Sequence, residues 1–362
     1  MKKFFEIINK FHLQLFAEAG TLVNATGGYV NAYTGALESS TGMSSTLKTF
    51  YDTELLENAR VEMFYAQFAK KQPLPANRGR TVEWRRWNTF EKASKLQEGV
   101  IPTGQKLSQI SKTGAIEQFG TFAAVTDILD LHAYDDVILG ATEEMGASAA
   151  ETQETLIRDA LLVNTNVLYC DNITLATGAK AGTPVAPGEM EASDTVMSVL
   201  SPDMVSKAVT KMKKDRVPTI NGKYYAVIHP SVAYDLRKHD AWIEAHKYSA
   251  TTEIFNGEIG ELHGVRFIEN VFAPILDGEY ANKAGGVTYA TYFFGKDAFG
   301  IIDPEGGALE MIVKDKSQAG GPLNQFSTIG YKFETNGATI LYTERLLRVM
   351  SCSSFSATDE AN

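Results

Sequence analysis

The candidate chemistry in this chain begins with His229, which closes the apolar run KYYAVIHP at 223–230. A histidine at the end of a buried strand stands where α/β enzymes place functional groups. Catalysis would also need a nucleophile or an acid at a recognised spacing. None accompanies it, so a structural strand-end histidine is the stronger reading. His239, His246 and His263 lie seven and seventeen residues apart, which fits neither the His-x-x-x-His zinc pattern nor a zinc finger. Asp127, Asp130, Asp135 and Asp136 could gather around a divalent ion, but they lack the fixed spacing of a calcium loop. Carboxylates before a helix complement its dipole, and that reading is preferred. Gly257, Gly260 and Gly264 do not form Gly-x-Gly-x-x-Gly, and the sequence has no Walker loop or Gly-x-Ser-x-Gly elbow. No catalytic, cofactor-binding or metal-binding residue is assigned.

The most distinctive polar constellation is basic and aromatic: Arg78, Arg80, Trp84, Arg85, Arg86 and Trp87. Such a group could stack bases and neutralise phosphates. It could equally grip carboxylates on another copy of the chain through bidentate pairs, with Trp and Arg as anchors. A formal net charge of −10 opposes tight binding to nucleic acid and favours the subunit contact.

Positioning these residues requires a scaffold, and 362 residues with 44% hydrophobic and 22% charged side chains can supply one. No apolar run is long enough to cross a bilayer. Lys2, Lys3 and Ala17-Glu18-Ala19 imitate a signal peptide, but Glu6, Asn9, Lys10 and His12 interrupt its apolar part. Cys170 and Cys352 lie far apart, as expected of small core residues without a disulfide framework. Residues 18–50, rich in Gly, Thr, Ser, Ala and Asn, read as an arm lying on another surface. From Asp52, the residues Leu55, Leu56, Ala59, Met63, Ala66 and Phe68 mark a helix that Pro73 and Pro75 stop.

Alternation predicts strands at 80–88 and 115–127. The stretch between them is too long for a compact hairpin loop and implies a projecting two-stranded flap. Ile138, Ala141, Met145, Ala149, Thr152, Leu156, Ala160 and Val163 recur at helical spacing, predicting a spine helix over Asp135–Asn166, roughly 45–50 Å long. The Gly/Pro-rich residues 178–194 read as a domain boundary. Ser201, Pro202 and Asp203 announce a helix to about 216, and 231–239 reads as another. Strands are predicted at 223–230, 260–271, 287–303 and 308–315, and a long strand-like run at 327–351 contains Asn336-Gly337 as either a hairpin turn or a kink. The class is α+β.

This order of arm, flap, spine helix, inserted α/β domain and returning strand resembles the tailed-phage major capsid protein of the Hong Kong 97-type fold. The segments YYAVIHPSVAYDLRKH, GEIGELHGVRFIENV, FGKDAFGII and GGPLNQFSTIGYKFETNGATILYTERLLRV, with FHLQLFAEA near the start, are similar to the N4-like branch. The resemblance implies an N-terminal arm at 1–50 and an extended loop at 80–126. It further implies a peripheral domain formed by 51–79, 127–199 and 323–352, an axial domain at 200–322 and a C-terminal tail at 353–362. The implied function is self-assembly into hexamers and pentamers of an icosahedral head shell around double-stranded DNA, assembled in the host bacterial cytoplasm and located in the virion.

The implied partners are other copies of the chain, a portal, separate scaffolding or decoration proteins, and weak non-specific contact with packaged DNA; no membrane or cofactor is implied. On that basis the loop residues Arg78, Arg80, Trp84, Arg85, Arg86, Trp87, Lys92 and Lys95 are expected at subunit contacts. Gly146, Ala147, Ala149 and Ala150 are expected to form a slim section of the spine that another element approaches closely. No motif carries over the lysine–asparagine crosslink of some relatives. The alternatives are an encapsulin-like compartment shell and an α/β enzyme using His229.

Overall fold

The computed structural model describes residues 29–30, 37–38 and 63–362, apart from 76–78, 94, 96–97, 100, 102–103, 133–136, 241, 244–257, 306–308, 316–324 and 357–358. The chain divides into two units between Ala59 and Arg60. In the first unit, Tyr29–Val30 (β1) and Leu37–Glu38 (β2) pair antiparallel.

The second unit holds everything else described. Most of the helix expected from Asp52 lies outside the described residues, and its expected last turns differ from the prediction. Tyr65–Phe68 is a 3-10 turn, and Lys70–Leu74 (β3) is an edge strand, where Pro73 can sit without its missing N–H being needed. Thr81–Trp87 (β4) pairs with Gln109–Ala115 (β5), from Thr81↔Ala115 to Trp87↔Gln109. This corrects the expected partner of 80–88, because QISKTGA is too polar to register as a strand by hydrophobic pattern. The chain turns at Ile116, and Glu117–Thr126 (β6) pairs with residues 326–335 instead.

Asp127–His132 (α1) leads towards the spine, Val137–Leu162 (α2), whose 26 residues span about 39 Å. It is shorter than predicted because Asn164 turns the chain, its Nδ2 donating to the Leu346 carbonyl at 2.6 Å. Val163, expected on the apolar face, is 77% exposed. The deeply buried stripe is Ala149, Glu154, Ile157, Arg158 and Leu161.

Val167–Tyr169 (β7) follows, then Asn172–Thr174 (β8), Lys180–Gly182 (β9) and Val196–Met197 (β10). The last three form a sheet in the order β10-β8-β9, so the Gly/Pro-rich stretch 178–194, read as a domain boundary, contributes a strand of its own. Met190, Met197 and Val199 anchor it in a cluster with Leu276, Ala290 and Met350. Pro202–Lys214 (α3) starts as predicted, with Ser201 Oγ accepting from the Met204 N–H at 3.4 Å. Tyr224–Ile228 (β11) is buried throughout and runs into Pro230–Lys238 (α4). Glu258–Leu262 (β12) and Val265–Glu269 (β13) form a hairpin whose central residues, His263 and Gly264, have φ of 53° and 80°. Positive φ at both positions is the mark of a tight primed turn.

The remaining strands are Ile275–Leu276 (β14), Thr288–Phe294 (β15), Phe299–Pro304 (β16), Glu310–Lys314 (β17), Phe326–Thr335 (β18), Thr339–Ile340 (β19) and Leu346–Ser351 (β20). The largest sheet runs β12-β13-β11-β15-β20-β7, with β14 also on β15. Alternation sorts its side chains. Tyr224, Ala226, Ile228, Phe293, Leu347 and Val349 face the core with α3 and α4, while Tyr225, Val227, Tyr292, Phe294 and Leu346 face Tyr65, Ile157 and Leu161. Residues 323–352 therefore divide between sheets. β18 lies between β17 and β6 over α2, whereas β20 sits between β15 and β7. Asn336-Gly337 is a corner between sheets: β18 and β19 do not pair with each other, and β19 joins β16, which pairs in parallel with β3.

Candidate subunit-contact surface

The flap presents two different faces because its side chains alternate. Val82, Trp84 and Arg86 are half-buried, while Glu83, Arg85 and Trp87 are exposed. Arg85 pairs with Glu83 at 2.9 Å on the open face, and Trp87 is 62% exposed. Beyond the strands, Asn88 donates to the Ser108 carbonyl through its N–H and to the Ser108 hydroxyl through its side-chain amide, and Gln105 both donates to and accepts from the backbone of Glu91. The flap is therefore ordered well past β4 and β5. Its outer part displays Trp87, Phe90, Ile101 and Leu107, large apolar groups left in water, among Lys92, Lys95 and Lys106. Residues 80–116 carry seven Lys or Arg against three Glu, so the flap is basic within an acidic chain.

The inward face docks on the subunit itself. Trp84 lies over two glycines: a Cβ at Gly300 would come within 2.9 Å of the indole, and one at Gly114 would meet the indole at 2.9 Å and Thr339 Oγ1 at 2.6 Å. Arg86 places its guanidinium 4.8 Å from the centre of the Tyr342 ring and 3.9 Å from Glu344, and Arg345 stacks on the same ring at 3.6 Å. Arg80 donates to the Ile116 carbonyl at 3.0 Å and closes the flap's base. Arg78 lies outside the described residues. Of the predicted contact residues, the structure thus leaves Arg85, Trp87, Lys92 and Lys95 free to face outward, and turns Trp84 and Arg86 inward. Tyr342 escaped the sequence reading because its flap partner, Arg86, is more than 250 positions away, and Arg345 because its role runs through Tyr342.

Along the spine, Ala149 packs against Tyr331 and Phe333, and the Tyr331 hydroxyl lies 3.1 Å from Ser148 Oγ and 3.3 Å from Thr152 Oγ1. Ala147 and Ala150 are half-buried, and a Cβ on Gly146 would meet nothing within 4 Å in the subunit. One turn further on, Glu154 is 0% exposed. Its Oε1 accepts from the N–H groups of Phe64 and Tyr65 at 3.1 and 3.3 Å and from Asn270 Nδ2 at 2.8 Å, tying the chain's entry into this unit to the helix. Burial raises its pKa against those hydrogen bonds and nearby Arg158. A carboxylate three and seven positions before Ile157 and Leu161 lies on their buried face, and that was the available signal.

His229 is 8% exposed and caps α4, its Nδ1 accepting from the Ser231 N–H at 3.2 Å. It stacks on Tyr289, and Asp359 accepts from the hydroxyls of Ser231 and Tyr289. Burial holds its pKa low, and Asp359 opposes that shift. The imidazole is occupied as a cap. Among the described residues there is no cluster of three or more His, Cys, Asp or Glu able to hold a metal, and no helix long and apolar enough to cross a membrane.

Comparison with known proteins decides what this architecture is. A sequence model of the family described as phage capsid protein matches residues 109–338, more than half of the chain. The chain belongs to the phage capsid protein family. Its fold is similar to the cyanophage Pam1 capsid (TM-score 0.64, 12% identity, covering 89% of this chain and 99% of that one). It is also similar to the capsid of Ralstonia phage GP4 (TM-score 0.60, 12% identity, 87% and 98% covered) and to that of cyanophage P-SCSP1u (TM-score 0.59, 13% identity, 87% and 96% covered). No curated protein matches the chain. The capsid protein has the Hong Kong 97-type fold and is a structural, non-enzymatic component of the phage head shell, self-associating in the virion capsid.

Proposed function

We propose that this capsid protein, as a member of the N4-like branch, forms hexamers and pentamers that close an icosahedral head around double-stranded DNA. In this reading the sheet around β11, β15 and β20 makes the contacts around the rotation axes, and the spine helix with β6, β17 and β18 forms the peripheral part. The extended loop crosses onto a neighbouring subunit. The observation that supports it is the flap's division into a docked face and an open face with exposed Arg85, Trp87, Phe90 and Ile101, the last 94% exposed. Large apolar groups ringed by charge mark association surfaces. A basic flap on an acidic chain also complements the rest of a second copy electrostatically.

Many weak contacts of this kind stabilise a closed shell by mass action. Assembly takes place in the host cytoplasm with a portal and a separate scaffolding or decoration protein. An acidic subunit touches packaged DNA weakly and without sequence preference, which leaves the DNA free to slide. Gly146, with Ala147 and Ala150, is the spine section where a neighbouring subunit approaches. The test is electron microscopy of purified protein carrying Arg85→Glu together with Trp87→Ala. The reading expects folded subunits that fail to close shells, and normal shells would overturn the flap contact.

A further inference from the structure

The inward face of the flap suggests more than passive packing. Two-stranded hairpins are marginal in water, so β4 and β5 need a partner to hold a direction. Their own body supplies one at two adjacent points. The Trp84 indole rests on Gly300 and Gly114, where any larger residue would collide with it, and Arg86 is held by the Tyr342 ring and by Glu344. Arg345 fixes that ring from the body side, stacking at 3.6 Å while its Nη1 donates to the Lys296 carbonyl at 2.9 Å. Asn336 carries the strut behind it, accepting from the Ile302 N–H at 2.9 Å and donating to Thr339 Oγ1 at 3.0 Å beside Gly114.

We propose that Tyr342, stacked with Arg86 and Arg345 beside the Trp84 slot, is a positioning latch that sets the direction of the flap in the single subunit before any neighbour binds. A planar guanidinium lying on an aromatic face resists tilting where a lysine would not. The flap then meets its neighbour at an angle the subunit has already chosen, and Tyr342 acts on assembly without touching another subunit. The proposal rests on the flap being the contact element, and its test is carried out without assembly so that the two can fail separately.

The experiment is amide hydrogen exchange on unassembled full-length subunits. With Tyr342→Ala, Arg86→Ala or Gly300→Ala, exchange across 81–87 and 109–115 is expected to rise about tenfold, while β11 and β15 stay protected. Tyr342→Phe keeps the ring face and should behave as wild type. Should Gly300→Ala fail to fold, Arg86→Ala decides, because it removes only a flap side chain. Unchanged flap exchange in both Tyr342→Ala and Arg86→Ala would overturn the latch, as would equal acceleration by Tyr342→Phe and Tyr342→Ala. Normal latch behaviour with shells unaffected by Arg85→Glu and Trp87→Ala would instead remove the contact role and leave the latch standing.

Discussion

Replacing Glu154 separates a hydrogen-bonding role from a charge. In Glu154→Ala, the N–H groups of Phe64 and Tyr65 and the Asn270 amide lose one shared acceptor in a dry site. Each buried donor left without a partner costs about 1–3 kcal/mol, so the loss should reach about 3–9 kcal/mol, comparable with the whole stability of an ordinary domain. Glu154→Gln keeps an oxygen for those donors and removes the cost of burying a charge. Against that, its new amide NH2 meets the place of Oε2, which has no hydrogen-bond partner among the described residues. These terms oppose each other, so Gln should stay within about 2 kcal/mol of wild type.

The pH dependence fixes the sign. The folded pKa of Glu154 lies above its unfolded value, so its favourable contribution is complete below about pH 4.3 and is lost as pH rises through the folded value. Gln does not titrate, so it should gain on wild type as pH rises from about 4 to about 8. Urea unfolding of unassembled subunits, followed by circular dichroism at both ends of that range, measures the difference directly. Equal losses in Ala and Gln would refute the acceptor role, and a wild-type-minus-Gln difference flat with pH would refute the buried charge.

Other perturbations test separate parts of the structure. Gly146→Ala should stabilise the subunit by about 1 kcal/mol, seen as a higher Tm, because a methyl there meets nothing and glycine is costly inside a helix. Gly146→Leu should leave the lone subunit folded but hinder shell closure, and normal shells would show that no neighbour comes close at that point. Gly330→Ala should destabilise by about 1–3 kcal/mol in thermal melts, because its Cβ would lie 2.7 Å from the Thr121 carbonyl oxygen and 2.8 Å from Phe122 Cβ. His229 is held neutral by burial, so its cap contributes above its unfolded value of about 6.5 and is lost as pH falls from there through the lowered folded value. His229→Asn should flatten that part of the stability profile. Cys170 and Cys352 are buried, and burial raises both thiols, Cys352 to about 12, so a thiol reagent should label neither until denaturant is added.

Elements whose local pattern and tertiary setting agree were legible in the chain. Ser201-Pro202-Asp203 marks the start of α3 because the cap is made within four residues. The flap strand β4 shows in its alternation, since one face is docked and the other is wet. Its partner β5 did not show, because QISKTGA packs mainly through Gly114, an absence of side chain that no hydrophobic pattern can register. The small sheet β8–β10 was hidden by its glycines and prolines, and its anchors Met190 and Met197 are single residues without a period. In the contact surface the residue types were legible and their directions were not. Trp84 and Trp87 look alike in sequence, and only strand parity and the glycine at 300 send one inward.

The place of β20 has a consequence for how the subunit is made. Residues 346–351 fill the gap between β15 and β7, so the largest sheet stays split, with the edge of β15 bare, until that strand is in place. Domains generally fold as their chain emerges, but this sheet cannot close before β20, which follows every other strand in it. A growing chain that has not yet added β20 therefore has no finished sheet to offer another copy.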